Sequence, residues 1–139
     1  PITKHVSPAD PYCPELRALA IRAAEEEGVT VHPHGTVVVI QGPRFSTRAE
    51  SREFRNNGWH VINMTQYPEA YLARELGMCY VNISLITDYD AGLEDDPSVE
   101  PVSHGAVLQV FNANIEKLKG VLRRLIASIP EASEHRCGE

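Results

Sequence analysis

Two carboxylates stand two residues apart in Thr87-Asp88-Tyr89-Asp90, directly after the apolar run 79–86. An ionised carboxylate that leaves water must be paired, hydrogen-bonded or protonated. Ligands of α/β proteins often bind at the carboxyl ends of strands. Asp88 and Asp90 therefore predict the floor of a ligand pocket. On spacing alone, a solvent-facing loop is the alternative.

Two further loops with unusual side chains follow predicted strands. They are Gly42-Pro-Arg-Phe-Ser46 and Asn63-Met-Thr65, and in a parallel sheet all three loops open on one edge. Phe45 with a carboxylate suits a flat heterocycle that carries N–H donors, whereas the Thr65 hydroxyl suits an anion such as phosphate. The alternatives are that Phe45 and Met64 belong to the core and that Thr65 only caps a helix.

Helical spacing and capping signals predict four helices that must hold these loops. They run from Pro14 to just before Gly28, from Thr47 to Asn57-Gly58, from Pro68 to Leu76, and from Ser103 to about Ser128. The second helix carries the pattern of a capping box, in which Thr47 and Glu50 bond reciprocally.

Short β-rich runs alternate with these helices, which predicts an α/β fold with parallel crossovers. The runs are 29–31, 36–41, 59–63 and 79–86. The first two are separated by a turn and predict a hairpin or two neighbouring strands. Val37 to Ile40 is apolar without alternation, which is typical of a strand covered on both faces. The run 79–86 is predicted to be a buried strand.

The sequence predicts a single domain with irregular segments at both ends and one irregular loop inside it. Residues 1–13 form a proline-rich loop that does not resemble a domain start, which suggests that something precedes it. Residues 14–130 form the body of one domain, interrupted by an acidic, mobile loop at 91–101, and 131–139 form a disordered tail.

Composition argues against several classes of protein. The net charge of −6 opposes a nucleic-acid-binding surface, and no apolar run approaches the length of a membrane span. The odd number and wide spacing of Cys13, Cys79 and Cys137 predict neither a disulfide framework nor paired zinc ligands, and favour a reducing, cytoplasmic setting. The histidines show no metal-ligand spacing, and no glycine-rich phosphate loop is present.

Taken together, Gly42 to Glu50, Val61 to Thr65 with Pro68-Glu69, and Thr87 to Asp90 resemble the trimeric purine nucleoside phosphorylase family, and within it the branch acting on 5′-methylthioadenosine. The resemblance extends to about Pro130 and corresponds to the C-terminal half of such enzymes. It implies a three-layer, mixed but largely parallel sheet flanked by helices. The family's N-terminal half, which normally holds the first strands and most phosphate contacts, has no counterpart here.

The resemblance implies reversible phosphorolysis, in which phosphate attacks the anomeric carbon of a purine nucleoside. Asp88 then faces N7 and the 6-position of the base, where a protonated carboxyl can give its proton to N7. An aspartate there favours a 6-amino group. The other implied contacts are Phe45, Ser46 and Asp90 to the base, Met64 to the ribose, and Thr65 to phosphate.

One segment departs from the methylthioadenosine pattern. Residues 102–108, with His104 and Val107, lie where the 5′ substituent is expected. Methylthio-specific enzymes commonly have a small apolar residue where this chain has His104, whereas 6-oxopurine enzymes have a histidine that bonds the 5′-hydroxyl. Adenosine is therefore a second expected substrate.

The resemblance also implies inorganic phosphate as co-substrate, no metal or organic cofactor, and a homotrimer. Three alternatives stay open. The protein could be a broader purine nucleoside phosphorylase, a hydrolytic nucleosidase, or a non-catalytic half-chain that needs its N-terminal half.

Overall fold

The computed structural model describes residues 5–91, 103–131 and 137. The elements in chain order are α1 (Pro14–Glu26), β1 (Val37–Val39), α2 (Arg48–Asn56), β2 (Val61–Asn63), α3 (Gln66–Glu75) and α4 (His104–Ser128). β1 and β2 form a parallel two-stranded sheet.

The described residues fall into two compact units. The first unit takes them from Pro1–Val31, Thr65–Ile83 and Lys119–Glu139, and the second takes them from His32–Met64 and Ser84–Leu118. The second unit contains the parallel sheet and all the predicted site residues except Thr65.

The core of the first unit lies between α1 and the C-terminal part of α4. Ala20, Ala23 and Ala24 pack there with Val121 and Leu125, and all five are buried. Pro14 occupies the first turn of α1, where its missing N–H costs nothing. This confirms the predicted helix and its apolar face.

Local capping signals also set the ends of the other helices. The capping box between Thr47 and Glu50 is present at the start of α2, and Gly58 follows that helix with φ of +68°. At α4, the Ala106 N–H donates to Ser103 Oγ at 3.2 Å. Tyr67 has non-helical angles inside α3, so the regular part of that helix begins at Pro68 as predicted.

The prediction of a hairpin or two neighbouring strands over 29–31 and 36–41 is wrong. Residues 29–31 form no strand, and β1 pairs in parallel with β2 instead. Val29 and Val31 pack against the core of the first unit, and tertiary burial overrides their β propensity. β1 is only half-buried, so it is not covered on both faces within the described residues.

The predicted buried strand over 79–86 is also not formed. The structure assigns no strand there, and Ile86 is 55% exposed. The Cys13 N–H donates to the Tyr80 carbonyl at 2.7 Å, but a strand requires a repeated ladder with a neighbour. An apolar run predicts burial without specifying which segment pairs with it.

The three cysteines, widely spaced along the chain, meet in the fold. The Sγ atoms of Cys13, Cys79 and Cys137 lie within 4.8 Å of one another in the first unit. Burial, with hydrogen bonds to Cys79 and Cys13, raises the pKa of Cys137 to about 12. Spacing along the chain does not limit which distant segments meet in a fold.

Several predictions concern residues that the structure does not describe. The acidic loop lies outside the described residues except for Ala91, and so do the first four residues of the proline-rich loop. Of the predicted disordered tail, Glu131 and Cys137 are described, and Cys137 is buried. Among the described helices, none combines the length and apolar character that crossing a membrane requires.

Candidate functional site

The parallel pairing of β1 and β2 brings two of the predicted site loops to the same edge. Val37 is in register with Val61, and Val39 with Asn63. The pairing continues one step further, because the Ile40 N–H donates to the Asn63 carbonyl at 2.9 Å. The chain segments after both strands therefore leave the sheet side by side, as the sequence predicted.

Gly42 and Met64 are in contact where these two loops begin. A Cβ atom added to Gly42 would lie 3.0 Å from Met64 Sδ and 3.5 Å from Met64 Cβ. The first distance is closer than ordinary van der Waals contact. Gly42 thus leaves the space that the Met64 side chain fills.

We expect Gly42→Ala to destabilise the protein by about 1 kcal/mol relative to Gly35→Ala, because the added methyl group overpacks against Met64. Gly35 is the matched control, since a Cβ there meets His60 Cβ at an ordinary 3.5 Å and neither glycine has a positive φ. Urea unfolding of both variants measures the difference. Equal stability would show that Met64 is not fixed by this contact.

The loop between Gly42 and α2 is held by one carboxylate, Glu50. The Arg44 guanidinium donates to both of its oxygens, at 2.7 and 2.8 Å. The Thr47 N–H donates to Glu50 Oε2 at 2.8 Å, and Arg44 also donates to the Phe45 carbonyl at 3.1 Å. Arg44 therefore braces the backbone that carries Phe45 and Ser46, which is a structural task.

The hydrogen bond from Arg44, with those from Thr47, lowers the pKa of Glu50 from 4.5 to about 2. A depressed carboxyl pKa stabilises the fold above the unfolded value and loses that contribution as the pH falls through the folded value. The brace is therefore complete above about pH 4.5 and is lost as the pH falls toward 2.

We expect the Thr47 amide resonance to shift with a midpoint near pH 2 in an NMR titration. Arg44→Gln should raise that midpoint toward 4.5, because the largest cause of the shift is removed. Glu50→Gln should abolish the transition. A wild-type midpoint near 4.5 would mean that Arg44 does not hold Glu50 in solution.

The braced loop presents one aromatic ring and one buried hydroxyl. Phe45 is exposed, whereas Ser46 is only 8% exposed, and its Oγ has no hydrogen-bond partner among the described residues. A buried hydroxyl without a partner is costly. Ser46 thus has bonding capacity for a ligand or for chain outside the described residues.

The two carboxylates of the 87–90 segment differ in their surroundings. Asp88 is exposed, and its Oδ1 accepts a hydrogen bond from the Thr87 hydroxyl at 2.5 Å. Asp90 is half-buried, and its Oδ2 is buried without a partner among the described residues. Asp90 is therefore the carboxylate whose burial is not offset by a hydrogen bond within this part of the chain.

His104 and Val107 lie on the first turn of α4 and share a face, since they are three positions apart. His104 is exposed and Val107 is half-buried. The turn is held by Ser103, whose carbonyl accepts from the Val107 N–H at 3.0 Å.

The structure places Met64 beside the loop of Phe45 and Ser46, and it puts Asp88, Asp90, His104 and Val107 in the same compact unit. Thr65 lies at the N-cap of α3 in the first unit, where its side chain makes no capping hydrogen bond. The alternative that Thr65 only caps the helix through its hydroxyl is therefore not supported.

A surface depression of about 310 Å³ lies elsewhere, between α1 and the C-terminal part of α4. Its lining includes Arg22, Glu26 and Arg124, and it contains none of the predicted site residues. The lining has three charged side chains and no aromatic ring, whereas a flat heterocycle is better bound by an aromatic ring beside a polar group. The loop chemistry is therefore the better guide to a binding site.

Sequence reasoning overlooked the proximity of the three cysteines. They are far apart along the chain and follow no metal-binding motif, so no signal in a single sequence could have brought them together. Their cluster belongs to the first unit.

Comparison with known proteins places this geometry in context. The model of the phosphorylase superfamily matches residues 2–127. The S-methyl-5′-thioadenosine phosphorylase of Pyrococcus abyssi is 54% identical over 138 residues, which cover 99% of this chain and 51% of that protein. The purine nucleoside phosphorylase of Streptomyces coelicolor is 51% identical over 137 residues, which cover 99% of this chain and 48% of that protein.

A solved structure is also similar. Methylthioadenosine phosphorylase from Schistosoma mansoni in complex with adenine superposes with a TM-score of 0.83 and 31% identity, over 94% of this chain and 50% of that one. This similarity confirms the predicted α/β fold class. The chain spans about half the length of the curated relatives it matches.

Proposed function

The chain belongs to the phosphorylase superfamily, and from this premise we propose that the complete protein phosphorolyses 6-aminopurine nucleosides. The main substrate is 5′-methylthioadenosine, which with phosphate gives adenine and 5-methylthioribose 1-phosphate. The Pyrococcus abyssi relative, 54% identical, is an S-methyl-5′-thioadenosine phosphorylase, which supports this choice.

In the proposed reaction, phosphate attacks the anomeric carbon while the bond from that carbon to N9 of the purine breaks. Negative charge develops on the leaving purine at N7. Asp88 donates a proton to N7, and its carboxyl oxygen accepts from the 6-amino group. The Thr87 hydroxyl bonds Oδ1, so it orients the carboxyl for this task.

The other residues act by contact with the substrates. Phe45 offers its ring to the purine, and Ser46 and Asp90 hydrogen-bond the base. Met64 packs under the ribose. Thr65 binds phosphate, and His104 and Val107 adjoin the 5′ substituent.

The observation that carries this proposal is that two buried oxygens, Ser46 Oγ and Asp90 Oδ2, have no hydrogen-bond partner among the described residues. Both lie in segments that resemble the family's base-binding motifs, and both require a partner to offset the cost of burial. An adenine base offers donors and acceptors that satisfy both atoms.

We further propose that the active protein is a homotrimer in which the family's N-terminal half completes the phosphate site. Phosphate is the co-substrate, and the chemistry requires no metal or organic cofactor. The proposed phosphorolysis of methylthioadenosine also implies a cytoplasmic location and a role in purine and methionine salvage.

The second candidate function is a broader purine nucleoside phosphorylase. The Streptomyces coelicolor relative, 51% identical, carries that name, and His104 suits a 5′-hydroxyl. Adenosine is the substrate that both candidates share.

The test is release of adenine by the full-length protein from methylthioadenosine and adenosine, with and without phosphate. Phosphate-dependent release from both establishes the chemistry, and the ratio of the two kcat/KM values measures what His104 contributes. Release that is undiminished without phosphate would overturn phosphorolysis in favour of hydrolysis. Turnover of inosine alone would overturn the preference for 6-aminopurines.

A further inference from the structure

Three thiols from distant parts of the chain meet in the first unit. The Sγ atoms of Cys13, Cys79 and Cys137 lie within 4.8 Å of one another, and none of these cysteines is in a disulfide. Cys13 and Cys137 are buried, and Cys79 is half-buried. No step of the proposed phosphorolysis uses this cluster.

The separation of these sulfurs suits a shared metal ion. A zinc–sulfur bond of about 2.3 Å places two thiolates of a tetrahedral site about 3.8 Å apart. We propose that Cys13, Cys79 and Cys137 bind one thiophilic divalent cation, zinc, whose fourth ligand is a solvent molecule.

Charge favours a divalent ion over a monovalent one. Three thiols lose three protons to solvent when they bind, so the zinc complex carries a net charge of −1, and a Cu⁺ complex would carry −2. The Arg74 guanidinium donates to the Cys137 carbonyl and to the Asp10 carbonyl. Its single positive charge beside the cluster offsets the charge of the zinc complex.

The backbone positions two of the ligands independently of any ion. Cys13 is the N-cap residue of α1. Its N–H donates to the Tyr80 carbonyl at 2.7 Å, which fixes the start of α1 against the segment that carries Cys79.

A bound ion would therefore fasten three segments of the first unit: the start of α1, the chain that follows α3, and the region of Cys137. Binding energy at such a site adds to folding stability. This inference does not depend on which nucleoside the protein uses.

Cobalt is the probe for this site, because thiolate-to-cobalt charge transfer absorbs in the near ultraviolet and reports sulfur ligands. The full-length protein is reduced, freed of metal under anaerobic conditions and titrated with Co²⁺. We expect one Co²⁺ per chain with a charge-transfer band, and displacement of that ion by Zn²⁺. Each single variant, Cys13→Ser, Cys79→Ser or Cys137→Ser, should bind at least about 100-fold more weakly.

His32→Gln/His34→Gln is the matched control, because it removes two exposed histidines and keeps the thiols. It should leave the band and the stoichiometry unchanged. If a serine variant fails to fold, as judged by circular dichroism, the wild-type spectrum still decides. Absence of a charge-transfer band in wild type would overturn the proposal. So would an anaerobic protein two hydrogen masses lighter than the sequence, since that indicates a disulfide.

Discussion

Asp88→Asn should reverse the base preference of the full-length enzyme. The Thr87 hydroxyl can donate to Oδ1 of an asparagine as it does to Oδ1 of Asp88, at 2.5 Å. The amide nitrogen then replaces Oδ2 and offers a donor where the carboxyl accepted. We expect kcat/KM for methylthioadenosine to fall about 100- to 1000-fold while turnover of inosine rises.

Steady-state assays of both substrates measure this exchange. Glu75→Gln is the control, because it neutralises an exposed carboxylate on α3 and should leave both substrates unaffected. If kcat/KM falls equally for adenine and hypoxanthine nucleosides, Asp88 does not distinguish the group at the 6-position of the base. Unchanged rates on both would remove Asp88 from the reaction.

The parts of the fold that sequence predicted correctly are specified by neighbouring residues. The capping box of Thr47 and Glu50, the proline at the first turn of α1 and the Ser103 cap of α4 each act within one helical turn. Such signals need no knowledge of the rest of the chain. The family assignment also came from motifs readable in the sequence, and the superfamily match over residues 2–127 confirms it.

The parts that sequence failed to predict depend on which segments meet. Val29 and Val31 looked like strand residues, but they belong to the α1–α4 core. The apolar run 79–86 predicted a buried strand. Among the described residues, no segment forms the repeated backbone hydrogen bonds with it that a strand requires. The chain spans about half the length of the curated relatives it matches.

The candidate site divides in the same way. The parallel order of β1 and β2 could be predicted, and it carried Met64 and the Phe45 loop to one edge. The contact of Arg44 with Glu50 could not be predicted, because it joins the loop to the helix cap only in three dimensions. Ser46 and Asp90 gained importance only from their buried oxygens.

The core of the first unit gives the largest expected effect on stability. Leu125 is 5% exposed and packs with Val121 against the alanines of α1. These small side chains let the two helices approach closely, and neighbouring backbone cannot easily move in to fill a void. Leu125→Ala should therefore lower the free energy of unfolding by about 2–4 kcal/mol, through lost burial and the cavity that remains.

Ile126→Ala is the matched control, since the adjacent residue on α4 is 67% exposed and loses a similar number of carbons. It should change the free energy of unfolding by no more than about 0.5 kcal/mol, because alanine also favours helix. Urea denaturation followed by circular dichroism compares the two. Similar losses in both variants would mean that α4 also buries Ile126 in the full-length protein. Negligible losses in both would mean that the α1–α4 core does not limit stability.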